Sequence, residues 1–348
     1  MIGWYVHHHG SGHAHRAGAV AQALHHLAPE VVVTGLSSAP TPGGWPGRWL
    51  QLPRDEDGSG APEGDPTAGG VLHWAPAGHP GLRERMTAIA AWVQRNTPKL
   101  VVVDASVEVT LLLRLLGVAV VVVAAPGERL DRPHRAAYDA ALHLLAPWPG
   151  WVQPAGWPPE WLVKTTALGA LSRYDGRPPS PVMPGTVAVL WGVGGLAVNA
   201  ARLSAAVAAT PRWRWTVLAD VQMAAELGVQ GARWVPDPWP QLTSAEVVVT
   251  HAGQNALAEV AAARRPAIVL PQRRPHAEQQ TTGAALATAG LAAVEPTWPG
   301  DDRWPVLLDD VAGRDGGKWR AWSAGDGAAV AARTLLSLVG KAAVCAPA

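Results

Sequence analysis

Along this chain, short apolar runs alternate with longer stretches in which apolar residues recur at helical spacing. The run Ile2–Val6 predicts a first strand, residues 14–27 a helix and residues 30–34 a second strand. Residues 37–70 are rich in glycine and proline without period and predict a long loop. Beyond it the pattern predicts a helix at 82–94, a strand at Leu100–Asp104, a helix at 107–116, a strand at 118–124, a helix at 132–141 and a strand at 142–146. Valine-rich strands alternating with helices imply a parallel sheet covered on both faces.

The proline-rich segment 173–185 breaks this rhythm and is expected to link two domains. Residues 186–191 then predict a strand, Gly192, Gly194 and Gly195 a tight turn, 197–209 a helix and 214–219 another strand. A second α/β unit follows, with a strand around Val247–Val249 and a helix at 256–264 that ends before Pro266. The expected layout is an N-terminal domain at 1–172, the linker, a C-terminal domain at 186–325, and a closing helix and tail at 326–348 able to cross back to the first domain.

Composition narrows the function. A net charge of +1 with 16% charged residues leaves no basic stripe, so a nucleic-acid partner is not expected. The single cysteine, Cys345, excludes a disulfide framework and fits a reducing compartment. The apolar start is too short for a signal peptide, so a cytoplasmic location is expected. With no Phe and 18 Trp, the aromatic core must rely on indole rings.

Two regions carry candidate chemistry. In the first, His7-His-His-Gly-Ser-Gly-His13 follows the first strand; Gly10 and Gly12 free a sharp turn, and His13 falls at the helix start, where it can serve as general base. Asp104, at the end of a parallel strand, would orient that base as a carboxylate orients a hydrolase histidine. His7, His9 and His13 offer three nitrogens, but no carboxylate lies in the same loop and the glycine turn has its own explanation, so no metal is expected. In the second region, His251-Ala-Gly-Gln-Asn255 joins a buried strand to a helix. Gly253 allows close backbone approach, Asn255 is the expected N-cap, and the helix start suits a phosphate. Glu259, one turn in, is within reach of a ribose hydroxyl. Gly192, Gly194 and Gly195 lack the Gly-Lys-Ser/Thr of a Walker loop, and Arg273 could neutralise a diphosphate without a metal.

In order, His251, Gly253, Asn255, Glu259, Pro266, Pro271, Glu278 and Gln279 resemble the donor-binding signature of GT-B glycosyltransferases, of both the MurG-like and the natural-product type. The resemblance implies two Rossmann-like domains facing across a cleft. It assigns His251, Gly253 and Asn255 to the diphosphate, Glu259 to the ribose, and Glu278 with Gln279 and the adjacent Gln280 to the transferred sugar. Trp234 is similar to the residue that stacks on uracil. The hydroxyl residue that often follows the Asn is Ala256 here, which removes one phosphate contact. His13 and Asp104 resemble the catalytic pair of natural-product enzymes. The implied reaction moves a sugar from a nucleotide sugar, expected to be UDP-linked, to an acceptor hydroxyl, with inversion and without metal or cofactor. A nucleotide-sugar hydrolase, whose Gly-x-Gly-His-x-x-Arg loop the residues Gly10 to Arg16 also resemble, stays open, as does a non-catalytic nucleotide-sugar binder. The acceptor, a small molecule or lipid, is not legible. Residues 71–86, with His73, Trp74 and His79, suit an acceptor-facing or membrane-surface lip equally with an ordinary packed loop.

Overall fold

The computed structural model describes residues 1–55, 64–191, 198–219, 232–233, 235 and 237–344. The chain forms two compact units, one of Met1–Leu168 with the segment from Asp326 onward, the other Gly169–Gly325. Among the described residues each is built on one parallel sheet.

In the first unit the strands are β1 (Ile2–Val6), β2 (Val33–Ser37), β3 (Arg48–Gln51), β4 (Leu100–Asp104), β5 (Val120–Val123), β6 (His143–Ala146) and β7 (Thr165–Ala167), in the order β3-β2-β1-β4-β5-β6-β7. Neighbouring strands pair parallel, with Val6 opposite Asp104 and Asp104 opposite Val123. Every residue of β1, β4 and β5 is buried, as β-branched runs covered on both faces should be. Each fully buried valine contributes roughly 1.5–3 kcal/mol of apolar burial. The helix Gly327–Val344 belongs to this unit and packs on the helix Gly12–Leu27.

The second unit holds β8 (Met183–Leu190), β9 (Arg214–Leu218), β10 (Ala232–Arg233), β11 (Ala245–Thr250), β12 (Ala267–Val269) and β13 (Ala293–Val294), in the order β10-β9-β8-β11-β12-β13. In both units indoles replace the missing phenyl rings: Trp4, Trp161, Trp239, Trp304 and Trp319 are all fully buried. Several pin a loop through Nε1, as Trp239 does on Pro178 O at 2.9 Å and Trp319 on Arg265 O at 2.9 Å.

Three local expectations are corrected. The aperiodic stretch 37–70 contains β3, an edge strand whose Arg-Trp-Leu-Gln alternation is only half-buried and so gives little periodic signal. It is held by Trp49, whose ring lies where a side chain on Gly35 would stand, 2.2 Å from an ideal Cβ. The second strand lies at Val33–Ser37, three residues later than its apolar run suggested. The strand expected at 186–191 begins three residues earlier, at Met183, inside the proline-rich segment 173–185, where Arg177 is also paired with Asp237 at 2.6 Å.

Candidate functional site

In the first unit the chain leaves β1 through the histidine run and turns at Gly10, whose φ of +70° favours glycine. The helix starts at Gly12, so His13 stands in its first turn with Arg16 three residues on, on the same face. Asp104 closes the group from the end of β4. Its Oδ1 is 2.9 Å from His13 Nδ1, while Arg16 donates to both carboxylate oxygens, Nε to Oδ2 at 3.1 Å and Nη2 to Oδ1 at 2.8 Å. Asp104 is 1% exposed. Burial alone pushes its carboxyl up, but the Arg16 guanidinium and His13 outweigh burial and hold it well below the usual carboxylate range. An ionised carboxylate only accepts, so His13 Nδ1 donates to it, and in the neutral ring that tautomer leaves the lone pair on Nε2. Arg16 Nη2 also stands 3.2 Å from Nδ1, a contact between two donors.

The next residue, Ala105, has φ +68°. This left-handed step costs a non-glycine residue energy and brings Ser106 into position to cap the helix Val107–Leu115, accepting from Val109 N at 3.2 Å. His7 lies beside His13, ring centroids 5.5 Å apart and planes tilted by 49°. Burial pushes its pKa down to about 3, helped by the neighbouring His13, His8 and His9. A pocket of about 90 Å³ adjoins it, walled by Tyr5, His7, Trp74, Arg85 and Glu108. Arg85 is 1% exposed and donates to Asp55 Oδ2 at 2.6 Å and to Tyr5 Oη at 3.0 Å. Tyr5 is pushed up to about 12 by burial. The stretch 71–86 therefore does line a pocket, through His73, Trp74, Leu82, Arg85 and Met86.

In the second unit His251 follows β11, and its Nδ1 accepts from Gly253 N at 2.9 Å. Burial, with Arg274 nearby, pushes its pKa down to about 4 and keeps the ring neutral. A Cβ on Gly253 would lie 2.3 Å from that ring, so any other residue there has to push the His251 ring aside. The helix runs Gln254–Ala263 with Gly253 as N-cap, so the expected cap Asn255 lies one residue inside it and Ala256 one residue further in. Glycine at the cap brings no side chain over the helix start, whose dipole suits an anion.

Glu259, on that helix, is 8% exposed and its Oε1 accepts from Arg173 Nε at 3.0 Å. Burial raises its pKa, with Arg173 opposing. Arg173 lies over the Tyr174 ring, 4.6 Å from the centroid. Gln279, near the start of the helix Glu278–Thr288, accepts through Oε1 from Ala252 N at 3.1 Å and Gln272 N at 2.9 Å, tying the loops after β11 and β12 together. Just before it, His276 and Ala277 take consecutive positive φ values of 59° and 49°. Glu278 and Gln280 are half-buried, Gln280 Oε1 has no hydrogen-bond partner, and Arg273 is exposed. Gly192, Gly194, Gly195 and Trp234 lie outside the described residues.

The structure thus joins His13 to Asp104, and Gln279 to the His251 loop. Sequence reasoning missed the role of Arg16, which it met only as the last residue of a glycine-loop resemblance. It also missed Arg85 and Arg173, and the latter was read as linker.

Residues 222–295 match the model of the glycosyltransferase family 28 C-terminal domain. No curated protein matches in sequence. Among solved structures the chain is similar to the glycotransferase of kitacinnamycin, at 16% identity over 97% of this chain and 98% of that one with a TM-score of 0.70. It is also similar to the spinosyn rhamnosyltransferase SpnG, at 18% identity over 97% and 99% with 0.66. A third similarity is to MurG of Acinetobacter baumannii, at 16% identity over 98% and 99% with 0.58. The likenesses establish the GT-B architecture. Family match and fold together support a glycosyltransferase enzyme of the MurG-like and natural-product type.

Proposed function

We propose that the chain transfers a sugar from a pyrimidine nucleoside diphosphate donor to an acceptor hydroxyl, with inversion and without a metal. The single observation that carries this reading is the His13–Asp104 pair, with Nδ1 on a buried carboxylate that Arg16 keeps ionised. His13 Nε2 takes the acceptor proton, and the acceptor oxygen forms its bond to the anomeric carbon as the bond to the diphosphate breaks. The leaving diphosphate departs with the electron pair. The start of the helix Gln254–Ala263 suits that charge, and Arg273 is the cation assigned to it. Glu259 accepts from the ribose and Glu278 with Gln279 and Gln280 meets the sugar. The pocket beside His7 is assigned to the acceptor.

The donor is read as UDP-linked. SpnG has been solved with thymidine diphosphate, which favours a dTDP-linked donor as the second choice, and it has been solved with spinosyn aglycone. No helix among the described residues is long and apolar enough to cross a membrane, and contact with a lipid acceptor at a membrane surface stays within the proposal.

His13→Ala tests the reading. Turnover should fall about 10²- to 10⁴-fold while UDP or dTDP affinity is unchanged. Full turnover in chelator is expected alongside. Free sugar released at full rate without acceptor would make the chain a hydrolase, and indifference to every nucleotide sugar would refute catalysis.

A further inference from the structure

A second group of titratable side chains in the first unit is not used by the reaction. Asp131 immediately precedes the helix Arg132–Ala140 with extended φ and ψ of −65° and 158°, the position of a capping residue. It makes no capping bond to that helix. Its carboxylate is turned instead toward two imidazoles: Oδ2 is 3.2 Å from His73 Nε2, and Oδ1 makes a short contact with His134 Nδ1. The two rings are tilted by 59° with centroids 4.4 Å apart. All three ligand atoms lie within 4.8 Å of one another.

We propose that His73, Asp131 and His134 form a zinc-type divalent metal site. Two ligands bound at about 2.0–2.1 Å to a tetrahedral ion stand about 3.3 Å apart, close to the separation already held between His73 and Asp131, whereas the short Asp131–His134 contact has to open to admit the ion. Two nitrogens and one oxygen select a transition metal over magnesium or calcium, which prefer oxygen donors. The His73 and Asp131 side chains are each about a third exposed, at 36% and 35%, so an ion can reach them and water can complete the coordination. Charge limits the affinity. Arg129 Nη1 lies 3.3 Å from His134 Nε2 and can only donate to it, so without a metal Nδ1 carries the proton; a dication on Nδ1 releases that proton, parts Nε2 from Arg129 and faces a guanidinium across the ring.

The site ties a loop to a helix. His73 and Trp74 donate their backbone N–H groups to Glu108 Oε1 at 2.8 and 3.0 Å, and both residues line the pocket beside His7. A bound ion fixes this wall to the helix Arg132–Ala140. It holds the pocket and takes no part in bond breaking, which keeps it compatible with a metal-free transfer step.

The test uses the full chain stripped with chelator, then titrated with Zn²⁺ by calorimetry and with Co²⁺ by visible absorption. One equivalent per chain, ligand-field bands of a four-coordinate ion and a rise in Tm are expected. Asp131→Asn and His134→Gln should each weaken binding at least about tenfold, while circular dichroism matches the parent. His9→Ala, in the separate histidine run, should leave binding intact. No binding in the parent, undiminished binding in both ligand variants, or loss confined to His9→Ala would each overturn the site and show a hydrogen-bonded triad only.

Discussion

The two units hold a carboxylate in opposite ways. In the first, Asp104 is locked: it is 1% exposed, both oxygens are bonded by Arg16, and its acidity is raised despite burial. In the second, Glu259 is almost as buried but takes one bond from an Arg173 side chain that is 32% exposed, and its acidity is lowered. The first arrangement makes a permanent charge, suited to orienting a base through every turnover. The second makes a charge whose partner can be exchanged, suited to a group that must release and rebind a hydroxyl. A buried ion pair gains little net stability from its own attraction, so the difference matters for chemistry more than for folding.

The strongest way to break this contrast is Asp104→Asn. The amide no longer enforces the Nδ1–H tautomer of His13 and leaves Arg16 without its anion, so kcat should drop about 10³-fold or more. Steady-state kinetics on protein shown to be folded would check it, and turnover within tenfold of the parent would mean that His13 is not oriented by Asp104. Next in size is Glu259→Gln. Losing a charged acceptor for the ribose should raise donor KM about tenfold, since a hydrogen bond to a charged group is worth about 1.5 kcal/mol. An unchanged KM would reduce Glu259 to a structural ion pair.

Smaller, and spread over both units, is the effect of acid. His7 has its pKa lowered from 6.5 to about 3, and His251 from 6.5 to about 4. Both bind a proton more readily when unfolded, so each removes stability as pH falls from about 6.5 toward its folded value. Tm should decline across that window, and His7→Gln should flatten its lower part. A Tm unchanged between pH 7 and 4 would show that neither ring is held neutral.

Much of this was legible before the structure. Asp104 ends an unbroken Leu-Val-Val-Val run, and His13 sits where two glycines demand a turn, so strand end and helix start could be read locally. Arg16 could not, because its partner lies 88 residues away and nothing near it marks a buried pair. The same separation hid Arg173, 86 residues from Glu259 and set in a segment whose prolines suggest a spacer. Asn255 was misread for a local reason: capping preference favours Asn over Gly only modestly, whereas the His251 ring, packed where a Cβ would stand, favours glycine two residues earlier. Trp234 and the glycines at 192, 194 and 195 lie outside the described residues, and the reading of them rests on resemblance alone.

The phenylalanine-free core has a consequence for how this protein can change. A phenyl ring can be re-seated freely, whereas each indole brings one donor that needs an acceptor. Trp161, Trp215, Trp239 and Trp319 have found theirs, and they act as directional locks on what they touch. Trp4, Trp157, Trp298 and Trp304 carry buried Nε1 groups with no partner. These four are the sites where drift toward Phe would relieve an unmet donor at the cost of some volume, and the locked four are where the same drift would loosen the frame.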